Sequence, residues 1–337
     1  MKSRNIVFTK PCVAELLCED MEKLEAGMVR VKILRTTISP GTERANLIGD
    51  PNVAGHNAPE VKFPRRLGYS ASGVVYAVGE GVESVKVGDR VACSWTNHQE
   101  FCDRPERQVY KLDDEVSLEE ASVVHIATFP LAAIRKCRLE IGESAIVMGL
   151  GVLGMIAVQL LRIAGAAPVI AVDPVAERRE EALKMGADYA LNPFDEGFAD
   201  KVKELTGKGA NVCIEVTGLG SGLDMGLDAM AKFGRVALLG CTRNSDFSID
   251  YYRKVHSRGI TLVGAHTMAR PKTESFEGWW CERDDALAIL KLIKYGRLDL
   301  HSFIAETHSP NECFEVFTRL ANEKSFPVVQ FNWEELK

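Results

Sequence analysis

The chain contains no C-x-x-C pair, no unbroken apolar run of membrane-spanning length and no block of lysine or arginine. Each absence closes off a class of function. The nine cysteines stand singly at 12, 18, 93, 102, 137, 213, 241, 281 and 313; an odd number without paired spacing argues against a disulfide framework and against a structural zinc lobe. They read as reduced thiols, which leads us to expect a cytoplasmic protein. The most apolar stretch, 145–172, is interrupted by Gln159, Arg162 and several glycines and does not read as a membrane span. The opening MKSRNIVFTKPC lacks the apolar core and small-residue cleavage site of a secretion signal. A formal charge of -6, with no basic cluster, offers nothing to nucleic acid or an anionic membrane. The expected partner is a small molecule.

At 337 residues the chain is long enough for two domains, each with its own core. Residues 1–122 alternate in steps of two, as in Val29-Arg30-Val31-Lys32-Ile33, and are punctuated at Gly79-Glu80-Gly81 and Gly88-Asp89-Arg90. That pattern predicts a β-rich domain. From 123 to 271 short apolar runs alternate with helix-length amphipathic stretches: AIVM then 152–165, VIAVD then 175–186, VCIEVTG then 221–232, RVALLG, and ITLVGA at 260–265. Such alternation implies parallel strands joined by right-handed crossovers. Residues 272–337 read as further helices and a last strand. Ala286, Ile289, Leu290 and Ile293 mark a helix ending at Gly296, Ser309-Pro310-Asn311-Glu312 has the form of a capping box, and 326–331 reads as a last strand.

The most informative motif follows the run ending at Met148. Gly149-Leu150-Gly151-Val152-Leu153-Gly154 leads into an amphipathic helix. The first glycine permits a tight turn, the second lets backbone approach a pyrophosphate, and the third brings helix and strand close. A diphosphate would rest on the unpaired amides of Val152 and Leu153 at the helix N-terminus, where the dipole favours negative charge. The next run ends in Asp173, placed to bond the adenosine ribose and to repel a 2′-phosphate, which favours NAD over NADP. Arg178 and Arg179 oppose that preference, because an arginine near the ribose accommodates the phosphate.

GVVYAVGEGVESVKVGDRVA, HQEF, GESAIVMGLGVLGMIAVQLLRIAGA, DPVAERREEALKMGAD, EVTG and GRVALLG, taken together, resemble the medium-chain dehydrogenase/reductase superfamily of zinc alcohol dehydrogenase relatives. The resemblance implies an α/β protein: a GroES-like β-rich catalytic domain and a Rossmann domain with a doubly wound parallel sheet, an active site in the cleft, and a homodimer or homotetramer. It puts Arg178 beside the adenosine ribose, Thr217-Gly218 and Gly240-Cys241 near the nicotinamide, and His266 just past the last strand of that sheet.

In zinc-dependent members a glycine-histidine-glutamate segment supplies a metal ligand; here it reads Gly68-Tyr69-Ser70. The segment that carries their cysteine ligand reads Thr37-Ile38-Ser39-Pro40-Gly41-Thr42-Glu43, so Ser39 or Pro40 stands in the cysteine's place, and the third ligand position aligns with His125. A catalytic zinc needs three thiolate, imidazole or carboxylate ligands. The expectation is therefore a zinc-free member, and SPGTER and GYS resemble the zinc-lacking subgroup that includes bacteriochlorophyllide dehydrogenase. Without a Lewis acid, side chains must handle the proton. The candidates are Tyr69, His125, Thr42 and Ser39, with His98 and His266 also placed to face the cleft. Trp279-Trp280 reads as core cover or as a substrate wall. The leading function is an NAD-dependent dehydrogenase of a secondary alcohol of polyol or sugar-like type; a zinc-free enone or quinone reductase and a non-catalytic nucleotide sensor are the alternatives.

Overall fold

The computed structural model describes residues 1–53, 60–242, 245, 247–323 and 325–336. Its elements in chain order begin with β1 (Lys2–Lys10), β2 (Val13–Asp20), β3 (Met28–Thr37), α1 (Pro40–Leu47), β4 (Ser70–Val78), β5 (Arg90–Ser94), β6 (Phe101–Pro105), β7 (Val109–Lys111), α2 (Leu118–Ala121) and α3 (Val124–Lys136). There follow β8 (Ala145–Met148), α4 (Val152–Ile163), β9 (Val169–Val172), α5 (Ala176–Lys184), β10 (Tyr189–Leu191), α6 (Phe198–Thr206), β11 (Ala210–Glu215), α7 (Gly220–Asp228) and β12 (Met230–Leu238). The chain closes with α8 (Tyr251–Lys254), β13 (Thr261–Gly264), α9 (Glu282–Lys294), β14 (Glu306–His308), α10 (Cys313–Asn322) and β15 (Val329–Asn332). Two compact units result, one of residues 1–126 with 286–337, the other of residues 127–285.

The first unit is built on a seven-stranded sheet in the order β14-β15-β3-β4-β5-β7, with β6 also paired to β3, beside a β1-β2 hairpin. Strand β3 is central, so Val29, Val31 and Ile33 are fully buried. The chain's return completes this core: β15 pairs antiparallel with β3, Gln330 opposite Thr37, while Val316, Phe317 and Leu320 of α10 pack into the same cluster. Alternation predicted the strands, and it shows in β3, where Val29, Val31 and Ile33 are buried while Lys32 between them is exposed.

The second unit holds a six-stranded sheet in the order β10-β9-β8-β11-β12-β13, parallel at every pairing. AIVM and VIAV are buried at every position, as expected of strands covered by helices on both faces. The order reverses direction between β8 and β11. That reversal opens the crevice in which open α/β sheets bind ligands.

Four local expectations are corrected. The second unit reaches Asp285 instead of ending near 271, because Asp285 is fully buried against Arg135 and lies 3.5 Å from Arg270. The helix expected over 221–232 stops at Asp228, and Met230 already belongs to β12, paired with Ala210. Ser309 accepts from the Asn311 amide and caps a 3-10 turn; the α-helix starts only at Cys313. Trp279 and Trp280 remain 43% and 45% exposed, so they do not seal a core, and the Arg135 guanidinium lies 4.1 Å from the Trp280 ring centre.

Candidate functional site

In the second unit every residue proposed for a dinucleotide follows the carboxyl end of a parallel strand. Gly149 leaves β8 at φ +96°, its amide donating to the Val172 carbonyl at 2.8 Å. A Cβ there would lie 3.0 Å from the Thr217 methyl carbon, and one on Gly154 would lie 2.0 Å from the Gly149 carbonyl oxygen. Around Gly151 there is nothing within 4 Å. Two glycines of the turn are thus demanded by packing, whereas the space over the middle one is open. Gly151 is the N-cap of α4, and Val152 and Leu153, half-buried, form its first turn. The first amides of a helix have no partner within it, so this end is suited to a diphosphate.

Asp173 follows β9 and is 3% exposed. Its two oxygens accept from the amides of Leu150 and Val175, each at 2.9 Å, and Arg178 lies 3.6 Å away. The carboxylate therefore holds the glycine turn against the neighbouring strand. Arg179 donates to the carbonyls of Asp173 and Pro174, and so ties down the start of α5.

Glu215, at the end of β11, is a residue that the pattern reading did not single out. It is 3% exposed, and burial raises its carboxyl above the usual range. It accepts from the Thr217 amide at 2.8 Å, from the Thr217 hydroxyl and from the Gly218 amide at 3.2 Å. Thr217-Gly218 is thereby fixed in place. A Cβ on Gly218 would lie 2.6 Å from the Cys241 carbonyl oxygen and one on Gly240 would lie 2.4 Å from the Gly218 nitrogen, so the turns after β11 and β12 touch through backbone. Cys241 and His266 are exposed, and the His266 ring accepts from the Met268 amide. The signal that could have found Glu215 is an acid at the end of a strand, directly before a Thr-Gly turn.

In the first unit Tyr69 directly precedes β4. The turn is set by Gly68 at φ +96°, where a Cβ would lie 2.8 Å from the His98 nitrogen. The backbone of 67–69 is bonded to the loop after β5: the Trp95 amide donates to the Tyr69 carbonyl and the His98 amide to the Leu67 carbonyl, both at 2.8 Å. The Tyr69 hydroxyl donates to Ser39 Oγ. Tyr69 meets the ring of the buried His125 edge-on at 5.7 Å, and Trp95 meets the same ring at 4.7 Å. Ser39, Tyr69 and His125, far apart in sequence, are brought together.

Trp95 was not foreseen. Its φ of +58° lies in a region that costs a bulky side chain free energy, so the surrounding loop must hold it there. Thr42 lies half-buried in the first turn of α1, three residues from Ser39. His98, expected to face a cleft, is instead 1% exposed, with Nδ1 2.8 Å from Thr36 Oγ1 and Nε2 2.8 Å from Glu43 Oε2. Its loop runs against β3 and α1, where Thr36 and Glu43 take both ring nitrogens.

A glycine-turn cradle on a parallel sheet, together with a β-rich unit that gathers phenol, imidazole and hydroxyl, defines a two-domain dinucleotide-dependent oxidoreductase. Residues 152–280 match the zinc-binding dehydrogenase family and residues 25–121 match the alcohol dehydrogenase GroES-like domain. The chain belongs to the medium-chain dehydrogenase/reductase superfamily. It is 28% identical to an L-threonine 3-dehydrogenase of Pyrococcus abyssi, with 92% of each chain covered. It is also 28% identical to a D-guloside 3-dehydrogenase of Shigella flexneri, covering 80% of this chain and 83% of that one. Among solved structures, an Escherichia coli oxidoreductase/dehydrogenase of unknown specificity superposes with a TM-score of 0.84 at 18% identity, covering 98% and 99% of the two chains.

The family name implies zinc, and the donors gathered at Tyr69 do not fit it. A phenol, a serine hydroxyl and one imidazole supply only one of the three imidazole, thiolate or carboxylate ligands that a catalytic zinc takes. The neighbouring carboxylate, Glu43, has one oxygen on the Ser39 amide and the other on His98. Among the described residues no group of three or more His, Cys, Asp or Glu side chains is arranged to hold a metal ion.

Proposed function

We propose that the protein is a zinc-independent, NAD-dependent dehydrogenase that interconverts a secondary alcohol, polyol or sugar-like, with its carbonyl form. The convergence of Tyr69 on Ser39 and His125, at the positions where zinc relatives place metal ligands, is the observation that carries this reading. The bound dinucleotide would supply or accept the hydride. Gly151, Val152 and Leu153 would hold its diphosphate, and Asp173 its ribose in preference to a 2′-phosphate. In the reducing direction the Tyr69 hydroxyl donates a proton to the developing alkoxide. In the oxidising direction the step reverses: the Tyr69 phenolate, formed by loss of its proton to solvent and held by the Ser39 hydroxyl, accepts the substrate hydroxyl's proton as the hydride leaves. His125, edge-on to the phenol, limits where that ring can turn, and Trp95, 4.7 Å from the imidazole and 6.4 Å from the phenol ring, packs beside both. A cytoplasmic homodimer or homotetramer belongs to the same reading, supported by the family resemblance and by nine free thiols.

The test is NADH formation from L-threonine, a D-guloside and secondary diols, with zinc measured per chain. We expect turnover of one of these alcohols with less than stoichiometric zinc. In Tyr69→Phe we expect kcat to fall by about 10²- to 10⁴-fold, the usual reach of general acid–base catalysis, with the KM for NAD unchanged. One tightly bound zinc per chain would overturn the reading, as would wild-type turnover in Tyr69→Phe; enone-dependent NADPH consumption would favour the reductase alternative.

A further inference from the structure

Ser39 is the N-cap of α1, with β-region backbone at φ -100° and ψ 94°, yet its hydroxyl makes no bond to its own helix. A serine at this position ordinarily accepts from an amide in the first turn. Here the hydroxyl is turned to Tyr69, and a different residue works at the helix end. Glu43, fully buried at the end of the first turn, reaches back so that its Oε1 accepts the Ser39 amide at 2.7 Å. The contact resembles the returning bond of a capping box, but it is made from four residues on instead of three and without the serine half.

Glu43 is itself held from behind. Its Oε2 lies 2.8 Å from His98 Nε2, and His98 Nδ1 lies 2.8 Å from Thr36 Oγ1, which accepts from Trp333 Nε1 at 3.0 Å. The two ends of this chain can only donate: the Trp333 indole N–H and the Ser39 amide. Thr36 accepts from Trp333; with His98 neutral and Glu43 a carboxylate, His98 Nε2–H donates to Glu43 and Thr36 turns its own proton to His98 Nδ1. Each of these four side chains is at most 3% exposed, so a gap in the chain would leave a buried polar group unmatched. The link from Glu43 to Ser39 runs through an amide, which does not pass a proton onward. What it transmits is position.

We propose that Glu43, braced by His98, is the positioning residue that keeps the Ser39 hydroxyl on Tyr69 and away from its own helix. The inference rests on the reading of Tyr69 as the proton-handling group. Its test combines crystal structures of Glu43→Ala and Glu43→Gln with kinetics on whichever of L-threonine and a D-guloside the wild type oxidises better. In Glu43→Ala we expect Ser39 Oγ to swing to the first-turn amides of α1 and leave Tyr69. We also expect kcat to fall about tenfold or more, as small misplacements near the chemistry do, with the KM for NAD unchanged. Glu43→Gln keeps an acceptor for the Ser39 amide, and its NH2 group finds an acceptor in His98 Nε2 once His98 takes the Nδ1–H tautomer and Thr36 accepts from it, so this variant should restore the Tyr69 bond and most of kcat. Should Glu43→Ala fail to fold, Glu43→Asp, one methylene too short to span Ser39 and His98, carries the same expectation. Ser39 staying on Tyr69 in the shortened variants would overturn the proposal, and so would Glu43→Gln falling as far as Glu43→Ala, since that would make charge the cause. Wild-type turnover in Tyr69→Phe would remove the proton role alone, leaving the Ser39 displacement to stand or fall by the structures.

Discussion

The glycine turn offers two substitutions that look alike in sequence and should behave oppositely. At Gly154 an added methyl would lie 2.0 Å from the Gly149 carbonyl oxygen and 3.0 Å from its carbon, well inside the roughly 3.5–4.0 Å of ordinary carbon contacts. Helix α4 would have to retreat from the turn by more than an ångström. Overpacking of this kind typically costs about 1–3 kcal/mol, and the better helix propensity of alanine returns about 1 kcal/mol of it. For a domain of this size each kcal/mol lowers Tm by about 2–4 °C, so Gly154→Ala should unfold a few degrees early. Gly151 has nothing within 4 Å and a φ of -75° that alanine adopts freely. Gly151→Ala should therefore leave Tm nearly unchanged, while its methyl occupies the space above the helix N-terminus and weakens NADH binding by tenfold or more, about 1.4 kcal/mol. Thermal unfolding by circular dichroism and NADH fluorescence titration of both variants decide the matter. Wild-type NADH affinity in Gly151→Ala would move the dinucleotide elsewhere, and a wild-type Tm in Gly154→Ala would refute the contact on which the turn is built.

Asp173→Ala should weaken NAD binding and narrow the gap between NAD and NADP, because Arg178 loses the carboxylate 3.6 Å away; unchanged selectivity in competitive titrations would take Asp173 out of the ribose site. Phe233, 77% exposed, holds a φ of +62°, so at this position Gly should be more stable than Ala by about 1 kcal/mol, and a more stable Phe233→Ala in urea unfolding would disprove the strain. Glu306, bonded to both Arg319 amino groups and to His308, has its carboxyl held down to about 2 from 4.5. A depressed carboxyl stabilises the fold above its unfolded value and loses that stabilisation as pH falls through the folded one. Glu306→Gln should thus cost about 1 kcal/mol at pH 7, modest because the pair is partly solvated, and progressively less toward pH 2. An equal cost at both ends, measured by urea unfolding, would count against the ion pair.

Much was legible from local pattern. Continuous apolar runs announced the buried parallel strands, and the glycine spacing announced a turn whose packing glycines, Gly149 and Gly154, sit against atoms a methyl would strike. The acid at 173 closes β9 as its spacing required. Such features arise between residues adjacent in the chain or one crossover apart, where period and steric demand are written directly. Helix α6 and strand β10 escaped, since short amphipathic pieces carry little periodicity.

By itself the sequence determined the class of fold and the place of the glycine turn, and it singled out Tyr69 and Ser39 as candidates. Only the tertiary structure decided which groups meet: that His125 faces Tyr69, that Trp95 is forced into a left-handed backbone beside it, that Glu215 ties down Thr217-Gly218, and that His98 braces Glu43 instead of facing solvent. The physical reason is range. Periodicity and turn chemistry act over a few residues, whereas a buried polar group takes its partner from whatever strand the sheet lays beside it, and that neighbour is a property of topology.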